Sequence, residues 1–374
     1  MRIAFLYDCV YPYKIGGVER RVWELARRLV KRGHEVHLFG MKFWEGPGTI
    51  GREGVVIHGI CPVPPLYPGG RRAILPAVTY SLHLLVPLLR ERFDLIDAQE
   101  FPFFHCFFAK ISSVLKRTPL VITWHEVWGN YWYRYLGGWG FFGQLVEWGT
   151  AHLSRNMVTV SPSTARDLRS LGYRHGITTI PNGIDCSHID AVSPSPHISD
   201  IIFAGRFIKE KNVDLIIAAV DILRTGIPDI RAVIVGDGPE KDVLHRLVRD
   251  RHLEKNVTFT GFFDNPDDVT AHMKASKVFV SPSVREGFGM AALEAMACGL
   301  PVVTVDHPQN AVMDLVTPET GIIASLSPGS LSEAIRTCLQ ERAQFSKGCR
   351  LKANDYDWER VVDRTERYYA SVTQ

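Results

Sequence analysis

One stretch of the chain, residues 284–303, constrains the fold more than any other. The apolar run at 277–281 before it is short and rich in β-branched residues, which predicts a buried parallel strand. Strong helix formers then occupy 290–298 and stop at Gly299, and a second apolar strand is predicted over 301–305. The order of strand, glycine turn, helix and strand is typical of a parallel α/β sheet.

The turn within this segment is suited to an anion. Gly287 and Gly289 let the backbone turn sharply and approach a ligand closely. The free N–H groups where the next helix begins favour a phosphate. Two carboxylates, Glu286 and Glu294, flank that helix start and are suited to binding hydroxyl groups. A nucleotide sugar carries both phosphate and hydroxyls, so the arrangement suggests this class of ligand.

The segment resembles the donor motif of retaining glycosyltransferases with the GT-B fold, of the family 4 type. In both, two glutamates are separated by seven residues, here Glu286 and Glu294, with a glycine turn between them. The resemblance implies that Glu294 accepts hydrogen bonds from the donor ribose and that Glu286 faces the sugar. Two glutamates at this spacing also occur by chance on solvated helix faces. Further matches to the family elsewhere in the chain are therefore needed to support the resemblance. The other donor-binding positions implied here are Gly287, Phe288, Gly289, Met290 and Ala291.

Composition excludes several classes of protein. A hydrophobic content of 46% and a charged content of 22% are typical of globular domains, and 374 residues fit two domains. The net charge of +3 is too small to imply nucleic acid binding. The seven cysteines are scattered without a Cys-x-x-Cys pair, which argues against disulfides and a zinc site and favours the cytosol. The apolar segment at the start of the sequence ends at Asp8, which indicates a first strand rather than a signal peptide. No apolar segment of the sequence is long enough to span a membrane.

Short apolar runs alternate with amphipathic helical segments in both halves of the chain, and a polar Ser/Pro-rich segment at 186–199 separates the halves. We therefore predict an α/β protein with two doubly wound, Rossmann-like domains and a cleft between them. The resemblance assigns acceptor binding to 1–190 and donor binding to 191–355. It also implies that a last helix within 356–374 crosses back to the N-terminal domain.

A basic loop in the second half supports a phosphate site. Gly205 and Arg206 follow a predicted strand, and Lys211 precedes the next helix. Guanidinium and ammonium groups both suit a diphosphate, although a solvated loop is the alternative. The family has a matching Gly-Arg and Lys pair, which favours phosphate contact. Two fixed cations and a helix start would stabilise the leaving nucleoside diphosphate without a metal, so we predict no metal and no cofactor.

Other strand ends also match the resemblance. Gly16 and Gly17 precede the first helix, where a plain turn is the alternative to the implied contact with the donor diphosphate or the acceptor. Gly236 lies in a turn that lines the nucleotide pocket in the family, although a tight turn alone would explain a glycine there. Phe262 follows another strand, in the region where the family holds the base.

A histidine, His125, follows the predicted strand at 120–123. A lone histidine is more often structural, but this one lies at the carboxyl end of a strand, where ligands of such sheets bind. The family has a histidine there that touches the donor sugar. The resemblance therefore implies a catalytic set formed by His125, Arg206, Lys211 and Glu286.

The acceptor is predicted to bind the first half of the chain. The helix at 18–32 carries six basic residues, and the segment 124–148 is rich in Trp and Tyr. Basic helices attract anionic lipids, and these aromatic residues favour the membrane interface. We hypothesise a cytoplasmic protein that docks peripherally on the inner membrane face and glycosylates a lipid-linked acceptor. The alternative is a solvated arginine face with aromatic residues that are core or bind a soluble glycan.

The predicted reaction is metal-independent transfer of a hexose from a nucleoside-diphosphate sugar to an acceptor hydroxyl. Retention of the anomeric configuration is implied by the resemblance alone. Three alternatives stay open: a nucleotide-sugar epimerase, a phosphorylase-like enzyme, and a non-catalytic nucleotide-sugar-binding protein. They account less well for the glycine loop, the Arg/Lys pair and the glutamate motif together.

Overall fold

The computed structural model describes residues 1–66 and 72–374, which form two compact units. Unit 1 comprises residues 1–182 together with 358–374, and unit 2 comprises residues 183–357.

Unit 1 is built on an eight-stranded sheet with the order β3-β4-β2-β1-β5-β6-β7-β8, in which only the β3–β4 pair is antiparallel. Its strands are β1 (Arg2–Leu6), β2 (Glu35–Lys42), β3 (Thr49–Arg52), β4 (Val55–Pro62), β5 (Leu95–Gln99), β6 (Leu120–Trp124), β7 (Asn156–Thr159) and β8 (Ile177–Thr179). Its helices before residue 182 are α1 (Gly17–Lys31), α2 (Ile74–Arg90), α3 (Phe104–Lys116), α4 (Tyr131–Leu136), α5 (Gly140–Ala151) and α6 (Pro162–Ser170).

Unit 2 is built on a six-stranded parallel sheet with the order β11-β10-β9-β12-β13-β14. Its strands are β9 (Ile201–Ala204), β10 (Ala232–Val235), β11 (Val257–Gly261), β12 (Val278–Ser281), β13 (Val302–Val305) and β14 (Gly321–Ala324). Its helices are α7 (Cys186–Ala191), α8 (Val213–Leu223), α9 (Lys241–Asp250), α10 (Pro266–Lys274), α11 (Met290–Ala297), α12 (Pro328–Gln340) and α13 (Arg342–Asn354).

The start of unit 2 differs from the sequence-based boundary at residue 190. The segment 186–199 lacks apolar periodicity, yet it contains helix α7, which the Asp185 carboxylate caps by accepting the His188 N–H at 2.9 Å. Ile184 forms a bridge with Asp357 and donates its N–H to the Tyr356 carbonyl at 2.9 Å. These bonds tie residues 183–190 to unit 2, so the division falls between residues 182 and 183.

The last helix, α14 (Trp358–Thr373), belongs to unit 1 and packs against α1. Trp358, Val361 and Tyr369 of α14 are buried in the same apolar cluster as Val22 and Leu25 of α1. The alternation of strands and helices thus produces two doubly wound α/β units, as predicted. The side chains that the sequence places on strands β1, β5 and β6 are almost wholly buried because helices cover both faces of the sheet.

Candidate functional site

Most of the predicted donor residues lie around the switch point of the unit 2 sheet. From β9 the chain adds β10 and β11 on one side, and then β12 and β13 on the other. In open α/β sheets, ligands bind at the carboxyl ends of the strands where the order reverses. Here that position lies between the loops that follow β9 and β12. These loops contain Arg206 and Lys211 on one side and Glu286 on the other.

An ion pair between Lys211 and Glu286 joins the two loops. Both side chains keep about a fifth of their surface exposed, at 19% and 22%, so the pair lies at the surface without being fully solvated. Backbone bonds hold Glu286 in place, since its N–H donates to the Gln309 carbonyl and its carbonyl accepts the Ala311 N–H, each at 2.9 Å. The structure thus brings together two residues that are 75 positions apart in the chain.

Arg206 follows the end of β9, where two backbone turns pack closely against each other. The Gly205 N–H donates to the Val235 carbonyl at 3.0 Å, and a Cβ at Gly236 would lie 1.9 Å from the Gly205 carbonyl oxygen. Gly236 also has φ +135°, so a glycine is required where these two turns meet. The Arg206 side chain is exposed, and no described residue forms a hydrogen bond or ion pair with it.

Helix α11 begins at the glycine turn, as predicted. Gly289 adopts φ +95°, and a Cβ there would lie 2.6 Å from Cγ2 of Val312. Phe288 is buried, with its ring 5.9 Å from that of Tyr356, and anchors the turn. The N–H groups of the first helical turn, including those of Met290 and Ala291, have no partner within the helix. Glu294 lies one turn further along α11 and is half-buried.

Phe262 lies at the edge of the unit 2 sheet, and the glycine pair before α1 belongs to unit 1. Phe262 follows the edge strand β11, with 71% of its surface exposed. Gly16 immediately precedes α1, and a Cβ there would lie 2.4 Å from Oε2 of Glu19, while Gly17 starts the helix in open space. In unit 1 the switch point of the sheet lies between β1 and β5.

His125 follows β6, the strand next to β5, at the carboxyl ends of the unit 1 strands. Its backbone N–H donates to the buried Glu100 carboxylate at 3.0 Å, and its Nε2 lies 2.8 Å from Oε1 of Gln99. Burial, together with the positive charge of Arg21, holds the pKa of His125 well below its usual value. The imidazole is therefore neutral at neutral pH.

Sequence reasoning missed residues that hold His125 in unit 1 and Glu286 in unit 2 in place. Gln99 and Glu100 are two adjacent polar residues at the end of β5. Polar residues at the end of a strand were the sequence signal that could have identified them. Asn310 is buried behind the Glu286 loop, where its amide donates to Oγ1 of Thr304 at 2.9 Å and to the Val305 carbonyl at 2.7 Å. No local pattern marks Asn310, because its partners depend on the fold.

The basic helix α1 does not present an open cationic face. Arg32 pairs with Glu359, Asp363 and Glu366 of α14. Arg28 pairs with Glu24 and Glu359, Arg27 pairs with Glu24, and Arg21 is buried. Four of the six basic residues of the predicted lipid-binding helix therefore stabilise unit 1 internally, and the sequence-based interpretation of this helix as a lipid-binding face was wrong in this respect.

Within the described residues, one group of metal-binding side chains lies together, namely His37, His58 and Glu91. Nδ1 of His37 lies 2.8 Å from Nε2 of His58, so the two rings bond to each other. The Arg2 guanidinium pairs with Glu91 at 2.5 Å and lies 3.3 Å from His37. A cation therefore already occupies this cluster, and we assign no metal to it. Of the helices in the described ranges, none has both the length and the apolar character needed to cross a membrane.

Two family models together match most of the chain. The model described as Glycosyltransferase Family 4 matches residues 15–188, and the one described as Glycosyl transferases group 1 matches residues 196–356.

Similar proteins include a GDP-mannose-dependent alpha-(1-6)-phosphatidylinositol dimannoside mannosyltransferase of Mycobacterium tuberculosis, which is 26% identical over 94% of this chain and 92% of that protein. A phosphatidyl-myo-inositol mannosyltransferase of Propionibacterium freudenreichii is 24% identical over 100% of this chain and 96% of its own length. Among solved structures, a sucrose-phosphate synthase from Thermosynechococcus elongatus superposes with a TM-score of 0.82 at 20% identity, covering 99% of this chain and 98% of its own. That structural likeness supports the predicted fold.

Proposed function

Because this chain belongs to the GT-B glycosyltransferases of the family 4 and group 1 type, which use nucleotide sugars, we propose that it transfers a hexose from a nucleoside-diphosphate sugar with retention and without a metal. The donor binds unit 2 at the switch point of its sheet. Arg206 and Lys211 bind the diphosphate, Glu286 holds sugar hydroxyls, and Glu294 binds the ribose. The glycines Gly205, Gly236, Gly287 and Gly289 let the backbone approach the donor.

The observation that carries this proposal is the arrangement of charge at that switch point. An exposed guanidinium, an ammonium paired with a carboxylate, and the free N–H groups of α11 belong to loops at neighbouring strand ends. Fixed cations and helix N–H groups stabilise charge that develops on a leaving diphosphate, and they need no reorganisation during the reaction. Since Lys211 engages Glu286, this carboxylate is suited to accepting hydroxyl hydrogen bonds rather than to attacking the anomeric carbon. We therefore assign the acceptor to attack on the same face, with the leaving phosphate as base.

Transfer and stereochemistry are tested together. The full-length protein is incubated with a panel of nucleoside-diphosphate hexoses, and release of the nucleoside diphosphate identifies the donor. Proton NMR of the glycoside formed with an acceptor then reports the configuration of its new anomeric linkage, which does not equilibrate. An α-linked product from an α-linked donor supports retention, and an inverted product contradicts it. An epimerised nucleotide sugar without release of the diphosphate would contradict glycosyl transfer itself.

For the acceptor, we propose a lipid-linked molecule reached from a membrane surface. The two relatives described above have names that refer to phosphatidylinositol lipids, whereas the sucrose-phosphate synthase bears the name of a soluble product. The surface of unit 1 favours the first class. Helices α2, α3 and α5 pack in sequence against one another, and α4 packs on α5. This layer, together with the 3-10 turn at 137–139, is here called the helical layer.

The helical layer exposes an unusual number of apolar side chains. Trp139 keeps 70% of its surface exposed, and Trp148 keeps 50%. The exposed apolar residues of the layer are Ile74, Leu75, Leu82, Val86, Ile111, Val114, Leu115, Tyr133, Trp139, Phe141, Phe142, Leu145 and Trp148. Large exposed apolar patches mark interaction sites, and aromatic residues of this kind favour the membrane interface.

The charges of the helical layer complement an anionic lipid surface. Its four helices contain one carboxylate, Glu147, which is buried and accepts the N–H groups of Trp128 and Gly129. Four basic residues, Arg90, Lys110, Lys116 and Arg134, lie on the same helices. Each basic residue near an anionic membrane contributes about 1 kcal/mol of attraction. We therefore assign the attraction to anionic lipids to the basic residues of these helices instead of those of α1.

An apolar cavity of about 110 Å³ lies beneath the helical layer. Aromatic residues that follow β5 and β6, including Phe101, Phe103 and Trp132, form its wall. Ile74 and Phe142 line the cavity and are also half exposed, so the exposed surface continues into the cavity. This continuity is suited to the hydrocarbon part of an acceptor that is drawn from a bilayer.

Sedimentation with vesicles tests this docking. We expect the protein to pellet with vesicles that contain anionic lipid at moderate salt, and a Trp139→Ser/Phe141→Ser variant to stay mostly in the supernatant. The matched control is Ile198→Ser/Leu351→Ser, which removes two similarly exposed apolar side chains of unit 2. A wild-type protein that does not pellet, or a control variant that loses binding equally, would contradict membrane docking and favour a soluble acceptor.

A further inference from the structure

A chain of buried polar groups leads from the last helix to His125. The Tyr369 hydroxyl of α14 donates to Oδ2 of Asp97, a residue of β5. Oδ1 of Asp97 accepts from the Thr123 hydroxyl at 2.8 Å and from the Gln99 amide nitrogen at 3.0 Å. Asp97 and Gln99 are 3% and 2% exposed. Polar side chains buried to this degree are normally retained with all of their hydrogen bonds, and they specify one arrangement.

The carboxylate of Asp97 determines which way the Gln99 amide points. If the amide were reversed, its oxygen would face the carboxylate oxygen, and two acceptors would meet in a buried site. The amide nitrogen therefore faces Asp97, and the amide oxygen faces Nε2 of His125 at 2.8 Å. An acceptor at that position requires the proton of the neutral imidazole to be on Nε2.

This leaves Nδ1 of His125 as an acceptor. Of the residues that the structure describes, none bonds to Nδ1. His125 as a whole is half-buried rather than fully enclosed. A neutral imidazole with its proton on Nε2 accepts a hydrogen bond at Nδ1 from a hydroxyl group, which a protonated imidazole cannot do.

We propose that Gln99, oriented by Asp97, is a positioning residue that holds His125 as the Nε2–H tautomer, so that Nδ1 accepts a hydrogen bond from a substrate hydroxyl group. The contact with a substrate hydroxyl rests on the proposed function, whereas the tautomer is a property of the protein alone. Tyr369 anchors Asp97 from α14, which makes the last helix part of the support of this histidine.

The tautomer is measured first, by two-bond ¹H–¹⁵N correlation spectra of the full chain labelled with ¹⁵N-histidine and free of donor. The His125→Gln variant assigns the signal. We expect a protonated Nε2 and an unprotonated Nδ1 in the wild type. In Gln99→Met, which keeps the length of the side chain but removes the acceptor, we expect a mixture of tautomers. A wild-type signal with the proton on Nδ1 would overturn the proposal, and this result requires only that the His125→Gln variant used for the assignment folds.

The matched control is Thr123→Val, which removes a different hydrogen bond to the same Asp97 oxygen but leaves the Gln99 amide in place. We expect this variant to lose stability while keeping the wild-type tautomer. If Thr123→Val disturbs the tautomer as much as Gln99→Met does, the network is merely structural and Gln99 has no specific role.

Kinetics then test whether this histidine tautomer matters for glycosyl transfer. We expect Gln99→Met to lower kcat/KM for the donor by roughly tenfold or more, because small displacements of a contact residue cost up to about a hundredfold. In a His125→Ala background, the same change should cost nothing further. Equal losses in both backgrounds would overturn the positioning role. If no nucleotide sugar is turned over although the tautomer is as expected, the proposed function fails and the tautomer assignment stands.

Discussion

Replacing Arg206 by alanine should separate catalysis from stability. The guanidinium is exposed and bonds to no described residue, so its removal breaks no internal contact. We therefore expect the free energy of unfolding to change by less than about 0.5 kcal/mol. If the guanidinium contacts the leaving diphosphate, its loss costs about 2–4 kcal/mol of transition-state stabilisation. That range corresponds to a fall in kcat of roughly 30-fold to 900-fold.

The assay is release of the nucleoside diphosphate at saturating donor, with urea unfolding measured in parallel. Lys209→Ala is the matched control, because Lys209 is an exposed cation of the same loop. We expect this control to keep wild-type activity. A wild-type kcat in Arg206→Ala would refute the assignment of this residue. An equal loss in Arg206→Ala and Lys209→Ala would show that the overall positive charge of the loop matters rather than a specific contact.

Lys211→Ala gives a contrasting result, because Lys211 pairs with Glu286 and both side chains are mostly covered. We expect a similar loss of kcat together with a loss of stability of about 1–3 kcal/mol, since the carboxylate is left without its partner. An unchanged urea midpoint would contradict the ion pair.

Three further predictions concern the metal, the backbone and the pH dependence. Excess chelator should leave transfer activity unchanged; loss of activity that magnesium or manganese restores would contradict a metal-independent reaction. Gly236→Ala should strongly destabilise unit 2, because its Cβ would lie 1.9 Å from the Gly205 carbonyl oxygen, and a wild-type melting temperature would contradict this geometry. Burial lowers the pKa of His105 to about 3, so its contribution to stability is present above the unfolded pKa of about 6.5 and is lost as pH falls. The stability of the wild type relative to His105→Gln, from urea unfolding, should therefore fall by about 2 kcal/mol between about pH 7.5 and pH 5, and a constant difference would contradict the shift.

The local structure around the predicted donor residues of unit 2 was predictable because its signals are local. The turn at Gly287 and Gly289, the helix that follows and the spacing of the two glutamates all lie within about ten residues. Backbone propensity and periodicity act over this range, and helix α11 begins where the pattern indicates. The basic loop at Arg206 and Lys211 is likewise a short segment between a strand and a helix. The resemblance to a known family then supplied the roles that residue types alone leave open.

The structure of unit 1 depended on contacts between distant residues, and the sequence misled there. The arginines of α1 have the periodicity of a solvated basic face, yet Arg28 and Arg32 meet the acidic face of α14, more than 320 residues further along the chain. Periodicity reports which face of a helix is polar but not what that face meets. In the same way, the aromatic run at 124–148 divides into buried Trp124 and exposed Trp139 only once the helices have packed.

By itself the sequence determined the two α/β repeats, the glycine turn with its helix, and the charged residues that follow the strands of the second half. These features arise from neighbours in the chain, whose spacing is set by backbone geometry. Only the tertiary structure decided that Lys211 pairs with Glu286 and that Tyr369 and Gln99 both bond to Asp97. It also decided that arginines of α1 form ion pairs with acidic residues of α14. The physical reason is that a hydrogen bond or an ion pair acts over about 3 Å, and distance in the folded chain is set by the order of the strands in the sheets rather than by distance along the sequence.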